Sequence, residues 1–166
     1  MDEKELEQIE HLGGSLFETP SVSPSKYHNN LFDLSNREPL DYLLNERKLT
    51  NETIRKFSLG CTDNGEEIVI PIFKNGSVID YKFRNIKEKS FHRVSNSESW
   101  VINEEALTTC TGDSKNKYLI ITEGEIDAMS VWQMGFKNVT SRVLGVGGVR
   151  SWDAFRWISK VPEDSD

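Results

Sequence analysis

The stretch that most restricts the fold is residues 118–144, in which an apolar run, an acidic turn, a helical pattern and a second β-rich run follow one another. Residues 118–122 predict a short strand, and residues 126–134 are apolar nearly all round, which predicts a buried helix. Residues 138–144 predict a second strand, and residues 151–161 a further helix. This β-α-β-α order implies a parallel sheet with right-handed crossovers.

The acidic turn lies where the first of these strands meets its helix. Glu123 directly follows the strand, and ligands of open α/β sheets bind beyond the carboxyl ends of the strands. Gly124 lets the chain turn without a Cβ clash. Asp127 falls in the first helical turn, from which it can point back toward the same cleft. We expect Glu125 to face away from the cleft or to favour the helix start through the helix dipole.

Two chemical interpretations of this turn stay open on spacing alone. Two hard-oxygen side chains, Glu123 and Asp127, suit Mg²⁺ or Mn²⁺, which would neutralise charge on a transferring phosphoryl group. Simple helix capping explains Glu125 and Asp127 equally well. Capping accounts poorly for Glu123, because that residue lies on the strand side of the turn.

Residues 66–85 carry the clearest β signal. Two strand patterns flank the Asn-Gly pair at 75–76, which tolerates the positive φ angles of a tight hairpin. Pro71 predicts a free strand edge or a bulge, because proline lacks the amide that a ladder needs. In the second strand Lys82 and Arg84 share a face, about 7 Å apart. The alternation of side chains also fits a second interpretation, in which Lys82 and Arg84 lie on a sheet face that is open to solvent.

Charge is distributed unevenly along the chain. The formal net charge is −7, whereas a typical nucleic-acid-binding domain is basic. The segment 81–93 nevertheless carries one acid, Glu88, against five cations: Lys82, Arg84, Lys87, Lys89 and Arg93. Net charge therefore does not exclude a polyanionic partner.

The region before the hairpin predicts a linker and two short helices. Residues 1–38 form an appendage whose second half is rich in Ser, Pro and Asn, a composition typical of linkers. Residues 39–48 predict a short amphipathic helix. Thr50 is a good N-cap for a second helix, and Gly60 is interpreted as its end.

Several classes of protein are excluded. Cys61 and Cys110 lie far apart and neither has a C-x-x-C partner, so the chain cannot build a four-cysteine zinc ribbon. The N-terminus is acidic and lacks the apolar core of a signal peptide. No apolar run approaches the ~20 residues that span a membrane.

Residues 118–135, YLIITEGEIDAMSVWQMG, closely resemble the first motif of the Toprim fold of bacterial primases, type IA and type II topoisomerases and OLD-type nucleases. The shared pattern is a strand, Glu-Gly, an Asp four residues after the Glu, and then Ala. This version is most similar to primases and to the primase-helicases of phages and mitochondria. The resemblance implies that Glu123 is a general acid/base or metal ligand, with Asp127 as the second acid.

Residues 42–60 resemble the opening of the primase catalytic core, and residues 68–91 resemble the hairpin that follows it. In that family an Arg after the second strand and a Lys-aromatic pair form a basic face toward template DNA and nucleotide. These positions fall on Arg84 and on Lys89 with Phe91. The residues expected to bind nucleic acid or nucleotide are Lys82, Arg84, Lys89 and Arg93.

The resemblance implies a two-part fold class. An α+β N-terminal basic subdomain at 39–112 precedes a partial α/β Toprim-like parallel sheet at 113–166, with the appendage at 1–38 before both. A Toprim domain carries Asp-x-Asp after its third strand. Here Asp164 and Asp166 follow Pro162 and Glu163 rather than an apolar strand, so we do not expect them to hold metal. We expect a fragment cut before that strand and inactive, or nearly so, alone.

The function that the resemblance implies is RNA primer synthesis on a single-stranded DNA template, from ribonucleoside triphosphates, with Mg²⁺ or Mn²⁺. A replicative helicase, fused or separate, is the expected partner, and no membrane is involved. The expected location is the cytoplasm at a nucleoid or replisome, a mitochondrion, or a phage-infected cell. Two alternatives stay open: a piece of a Toprim nuclease or topoisomerase, and a truncated non-catalytic module that binds DNA or a partner.

Overall fold

The computed structural model describes residues 20–33, 35, 37–88, 90–94, 97, 100–109 and 118–141. The helices are α1 (Pro24–Phe32), α2 (Arg37–Asp41), α3 (Asn51–Lys56), α4 (Glu105–Thr109) and α5 (Glu125–Gln133), and a π-helical segment, Tyr42–Glu46, continues α2. The strands are β1 (Gly60–Cys61), β2 (Glu67–Lys74), β3 (Ser77–Asn85), β4 (Phe91–Arg93), β5 (Ile120–Thr122) and β6 (Val139–Ser141). Lys89, Cys110, Asp164 and Asp166 lie outside the described residues.

The first sheet is antiparallel, with four strands in the order β1-β2-β3-β4. Asn75 and Gly76 have φ angles of 51° and 76° at the β2–β3 turn, which confirms the predicted hairpin. The strand β1 pairs with β2 only at Ile68 and Val69, so β1 does not cover the edge of β2 at Pro71. The β2–β3 register also shifts between Ile72 and Phe73, as at a bulge. The free edge and the bulge, which were the two alternatives expected around Pro71, thus both occur near it.

The second sheet is parallel and pairs β5 with β6 across the helix α5. Ile120 lies opposite Val139 in this ladder. The strand-helix-strand order predicted from the sequence is therefore confirmed as far as Ser141. The helix predicted at 151–161 lies outside the described residues.

The helix α1 corrects the interpretation of its residues as linker. Ser23 caps the helix by accepting a hydrogen bond from the Ser25 amide, and Pro24 occupies the first turn, where its missing amide is tolerated. Leu31 is fully buried, and Tyr27 contacts Tyr81 of β3 edge to face, with ring centroids 5.1 Å apart. Composition did not predict this helix because contacts distant in sequence stabilise it. The domain boundaries themselves stay predictions.

Gly60 does not end a helix, and that prediction was wrong. The hydroxyl of Thr50 accepts a hydrogen bond from the Thr53 amide, as predicted, but α3 ends at Lys56. Gly60 instead begins β1 and lies directly against the backbone of Tyr27, where a Cβ would overlap the Tyr27 carbonyl group. Glycine is required here for the close approach of α1 to the sheet.

The larger of two hydrophobic clusters among the described residues joins the antiparallel sheet to α5. Its fully buried members include Leu43 from the π-helical segment, Ile54 from α3, Ile70 from β2 and Met129 from α5. This packing fixes the first turn of α5 against the face of β3 that carries the basic residues. None of the helices in the described ranges combines the length and the apolar character needed to cross a bilayer.

Candidate functional site

A cleft of about 130 Å³ lies between the antiparallel sheet and the start of α5. Arg47, Lys82 and Arg84 line one side of the cleft, and residues 124–127 line the other. Ile70 and Phe91 complete the lining. Basic groups from one part of the chain therefore face the acidic turn from another.

Lys82 and Arg84 share one face of β3, as predicted, and both line the cleft. Neither side chain is freely solvated. The Nε of Arg84 donates a hydrogen bond of 2.9 Å to the hydroxyl of Tyr42, whose ring is buried in the core. This contact holds the guanidinium of Arg84 at the cleft wall. The alternative of a solvated sheet face is therefore wrong for these two residues.

Arg47 is a cleft residue that the sequence did not single out. Its Nε is buried and donates no hydrogen bond within the described part of the chain. The guanidinium carbon lies 6.0 Å from the centroid of the Tyr42 ring. Arg47 follows the π-helical segment directly, so the packing of Tyr42 brings it to the cleft. A bound water, ion or ligand can satisfy a buried donor of this kind.

Glu125 lines the cleft, so the expectation that it faces away is wrong, whereas its place in the first turn of α5 agrees with the alternative. Its carboxylate accepts a hydrogen bond of 2.7 Å from the Nζ of Lys82. The side chains of Lys82 and Glu125 are 16% and 7% exposed, which makes this a largely buried ion pair. Removing one partner of such a pair typically destabilises a protein by about 3–5 kcal/mol. The pair therefore joins β3 to α5 and sets the local charge of the cleft.

The two predicted acids lie at different places. Asp127 lines the cleft, as expected, and its side chain folds back over Gly124. A Cβ at Gly124 would lie 2.9 Å from the Oδ2 of Asp127. Glu123 is exposed, directly after β5, and is not among the residues that line the cleft. The turn thus presents one carboxylate in the cleft and another at its solvent side.

These acids form at most part of a metal site. Within the described ranges, no cluster of three or more acidic, histidine or cysteine side chains could hold a metal ion. Glu123 and Asp127 still supply the hard oxygen donors that Mg²⁺ prefers. One or two carboxylates are sufficient for Mg²⁺ when substrate phosphates and water provide the remaining ligands. The donor chemistry therefore fits Mg²⁺ bound together with a phosphate ligand.

Two further residues were predicted to bind nucleic acid. Arg93 lies opposite Lys82 in the β3–β4 ladder, but its Nε donates a 2.5 Å hydrogen bond to the fully buried Asp80. Arg93 is not among the residues that line the cleft. Its ion pair compensates the buried charge of Asp80. Lys89 lies outside the described residues.

Phe91 lies at the mouth of the cleft and is 62% exposed. The Nζ of Lys82 lies 4.4 Å from the centroid of its ring, within cation–π distance. Exposed aromatic rings beside cationic groups are typical of surfaces on which nucleobases stack. The cleft therefore combines groups suited to phosphate with one suited to a base.

The fold of this chain matches solved primase structures. One is the RNA polymerase domain of Mycobacterium tuberculosis primase DnaG, with a TM-score of 0.65 and 15% identity over 86% of this chain. A second is a DnaG primase catalytic domain bound to single-stranded DNA, with a TM-score of 0.60 and 16% identity over 83% of this chain. The zinc-binding and RNA polymerase domains of Aquifex aeolicus primase give a TM-score of 0.59 and 20% identity over 71% of this chain.

The chain has the fold of a bacterial DnaG primase catalytic core. It spans 60%, 57% and 39% of the lengths of these three structures, in the same order. No protein-family model matches the chain, and the comparison with curated proteins found no match.

Proposed function

We propose that this chain belongs to the RNA-synthesising core of a DNA primase of the type found in phage or mitochondrial primase-helicases. The observation that carries the proposal is the cleft itself, in which a basic strand face meets an acidic strand-to-helix turn. Cationic groups suit phosphates, and carboxylates suit the metal and the proton transfer that nucleotidyl transfer requires. The primase-like fold independently supports the same reaction class.

In the proposed reaction the 3′ hydroxyl of one ribonucleotide attacks the α-phosphorus of a ribonucleoside triphosphate, and pyrophosphate leaves. Arg47 and Arg84 bind phosphate groups, because they present guanidinium groups that match phosphate geometry. Phe91 supports a base beside them. Glu123 accepts the proton of the attacking hydroxyl or holds the metal, and Asp127 supports it from the first turn of α5.

Mg²⁺ or Mn²⁺ is the proposed cofactor, with Glu123 and Asp127 as the residues of this chain that would hold it. The bound ion would neutralise charge that develops on the transferring phosphoryl group. The parallel sheet β5-β6 is the proposed beginning of a Toprim domain. The proposed arrangement of domains is the basic subdomain at 39–112 followed by the Toprim domain from 113.

The proposed template is single-stranded DNA, to which one of the similar primase catalytic domains is bound. Lys82, Lys89 and Arg93 stay proposed nucleic-acid-binding residues, although Lys82 pairs with Glu125 and Arg93 pairs with Asp80. A replicative helicase, fused or separate, is the proposed partner. The corresponding site of action is the replisome of a cell, a mitochondrion or a phage-infected cell.

The reaction product tests the proposal directly. The longest soluble protein that contains this chain is incubated with single-stranded DNA, Mg²⁺ or Mn²⁺ and labelled ribonucleoside triphosphates, and products are separated on a denaturing gel. Short template-dependent RNA products support a primase. Nicked DNA without RNA products would instead assign the cleft to a nuclease or topoisomerase. Tight DNA binding without either product would assign the chain to a non-catalytic module.

A further inference from the structure

The buried pair formed by Lys82 and Glu125 is not explained by helix capping or by simple phosphate binding. Lys82 is the central cation of the cleft, yet its Nζ already contacts the carboxylate of Glu125 at 2.7 Å. The Nζ of Lys82 also lies 4.4 Å from the centroid of the Phe91 ring. An anion that approaches Lys82 must therefore compete with a carboxylate that is already in place.

The other two cations of the cleft have no carboxylate partner of this kind among their described contacts. Arg84 uses its Nε to donate a hydrogen bond to the hydroxyl of Tyr42 rather than to a carboxylate. The buried Nε of Arg47 has no hydrogen-bond partner within the described residues. Positive charge in the resting cleft therefore comes from these two arginines, since the charges of Lys82 and Glu125 cancel at contact distance.

We propose that Glu125 neutralises Lys82, so that the resting cleft recognises a polyphosphate ligand through Arg47 and Arg84 and uses Lys82 only when the pair opens. This inference rests on the proposed function, because it assumes that the cleft takes the triphosphate of a nucleotide. It makes Glu125 a specificity-determining residue that keeps the cleft from binding anions too tightly. Asp127, which also faces the cleft, adds to this restraint.

A double-mutant cycle tests the inference. The chain is compared with Glu125→Gln, Lys82→Gln and the double variant Lys82→Gln/Glu125→Gln, and the affinity for inorganic tripolyphosphate is measured by calorimetry. Glu105→Gln is the matched control, because it breaks the more exposed pair that Glu105 forms with Lys56 away from this cleft. Circular dichroism and urea unfolding show whether each variant keeps the fold.

The expected result is specific in sign. Glu125→Gln binds tripolyphosphate more tightly, on the order of tenfold, because one opposing charge near the ligand is removed. Lys82→Gln binds more weakly by a similar factor, because the charge of Glu125 is no longer compensated. The double variant binds within about twofold of the unaltered chain, because the neutral amide pair restores the same net charge. Glu105→Gln changes nothing.

The following outcomes would overturn the inference. No gain in Glu125→Gln, or a double variant as weak as Lys82→Gln, would show that Lys82 binds the anion directly and that Glu125 only positions it. If Glu125→Gln does not fold, recovery of affinity from Lys82→Gln to the double variant decides the question. Absence of tripolyphosphate binding in every variant and in the unaltered chain would overturn the proposed function together with this inference. Binding by the unaltered chain without the predicted pattern would overturn this inference alone.

Discussion

At the scale of the residue, Gly124 shows how the acidic turn is built. Its φ angle of −116° is accessible to any residue, so backbone conformation does not require glycine here. The side chain of Asp127 occupies the space that a Cβ would fill. Glycine at this position therefore serves the placement of a carboxylate rather than the turn itself.

Gly124→Ala is expected to displace the carboxylate of Asp127, because the added Cβ would lie 2.9 Å from its Oδ2. The free energy of unfolding should change by less than about 1 kcal/mol, since the end of a side chain can rotate away. Affinity for Mn²⁺ should fall severalfold, as measured by calorimetry in the presence of tripolyphosphate. Unchanged Mn²⁺ affinity would show that Asp127 takes no part in holding the metal.

Cys61 supplies a prediction that depends on pH. Burial raises the pKa of its thiol to about 11, from an ordinary value of 9.0, with smaller effects from the charges of Asp63 and Asp33. In the unfolded chain the thiol ionises near its ordinary pKa. The contribution of the Cys61 thiol to the free energy of unfolding is therefore constant below about pH 9. It declines as pH rises toward 11, because the thiol ionises in the unfolded chain before it ionises in the folded chain.

The measurement compares urea unfolding of Cys110→Ser with that of Cys110→Ser/Cys61→Ala at pH 8 and at pH 10. Between pH 8 and pH 10 the free energy of unfolding of Cys110→Ser should fall more than that of Cys110→Ser/Cys61→Ala, because only Cys110→Ser carries the buried thiol. Native Cys61 should also react with iodoacetamide much more slowly than the urea-unfolded chain does at pH 9. Equal reaction rates would contradict the burial of this thiol.

At the scale of the element, local signals predicted the structure well where the deciding contacts are local. The Asn-Gly turn at 75–76, the Thr50 cap and the strand-helix-strand order needed only neighbouring residues. The helix α1 and the role of Gly60 were not predicted, because both depend on contacts between segments about thirty positions apart. The same holds for the pair of Lys82 with Glu125, which are separated by 43 positions.

Gly60→Ala tests the packing of α1 on the sheet. A Cβ at this position would overlap backbone atoms of Tyr27, which cannot rotate away as a side chain can. We expect a loss of about 3 kcal/mol in the free energy of unfolding, at the upper end for overpacked cores. Gly124→Ala is the matched control, because its added Cβ meets only the end of a side chain. Equal losses in the two variants would contradict the docking of α1 against β1.

At the scale of the whole molecule, the distribution of charge matters more than its sum. The chain has a formal net charge of −7, yet its cleft is lined by three cationic and two acidic side chains. The fold is similar to that of primase catalytic cores. The sequence pattern alone predicted Lys82, Arg84 and Asp127 in this cleft, but not the rest of its charged lining. Arg47 completes the basic side, and no local pattern distinguished it from other surface cations.

Arg84→Gln is expected to weaken binding of single-stranded DNA and to reduce its salt dependence. The slope of log K against log salt should fall by about 0.7 if one phosphate contact is lost. Fluorescence anisotropy of a labelled oligonucleotide between 50 and 200 mM salt, roughly the range in which such contacts dominate, provides the measurement. Lys56→Gln is the control, because Lys56 pairs with Glu105 away from the cleft. An identical slope in Arg84→Gln and the unaltered chain would remove Arg84 from the DNA-binding surface.

The central claim is that the cleft at the acidic turn joins ribonucleotides on a DNA template. Its most direct test is incorporation of labelled ribonucleotides by the longest soluble protein that contains this chain, unaltered or carrying Glu123→Gln or Lys56→Gln, with the same single-stranded template and Mg²⁺. The account predicts RNA products from the unaltered chain and from Lys56→Gln, and a loss of roughly a hundredfold or more in Glu123→Gln, as for removal of a general base. Equal incorporation by Glu123→Gln and the unaltered chain would contradict the account.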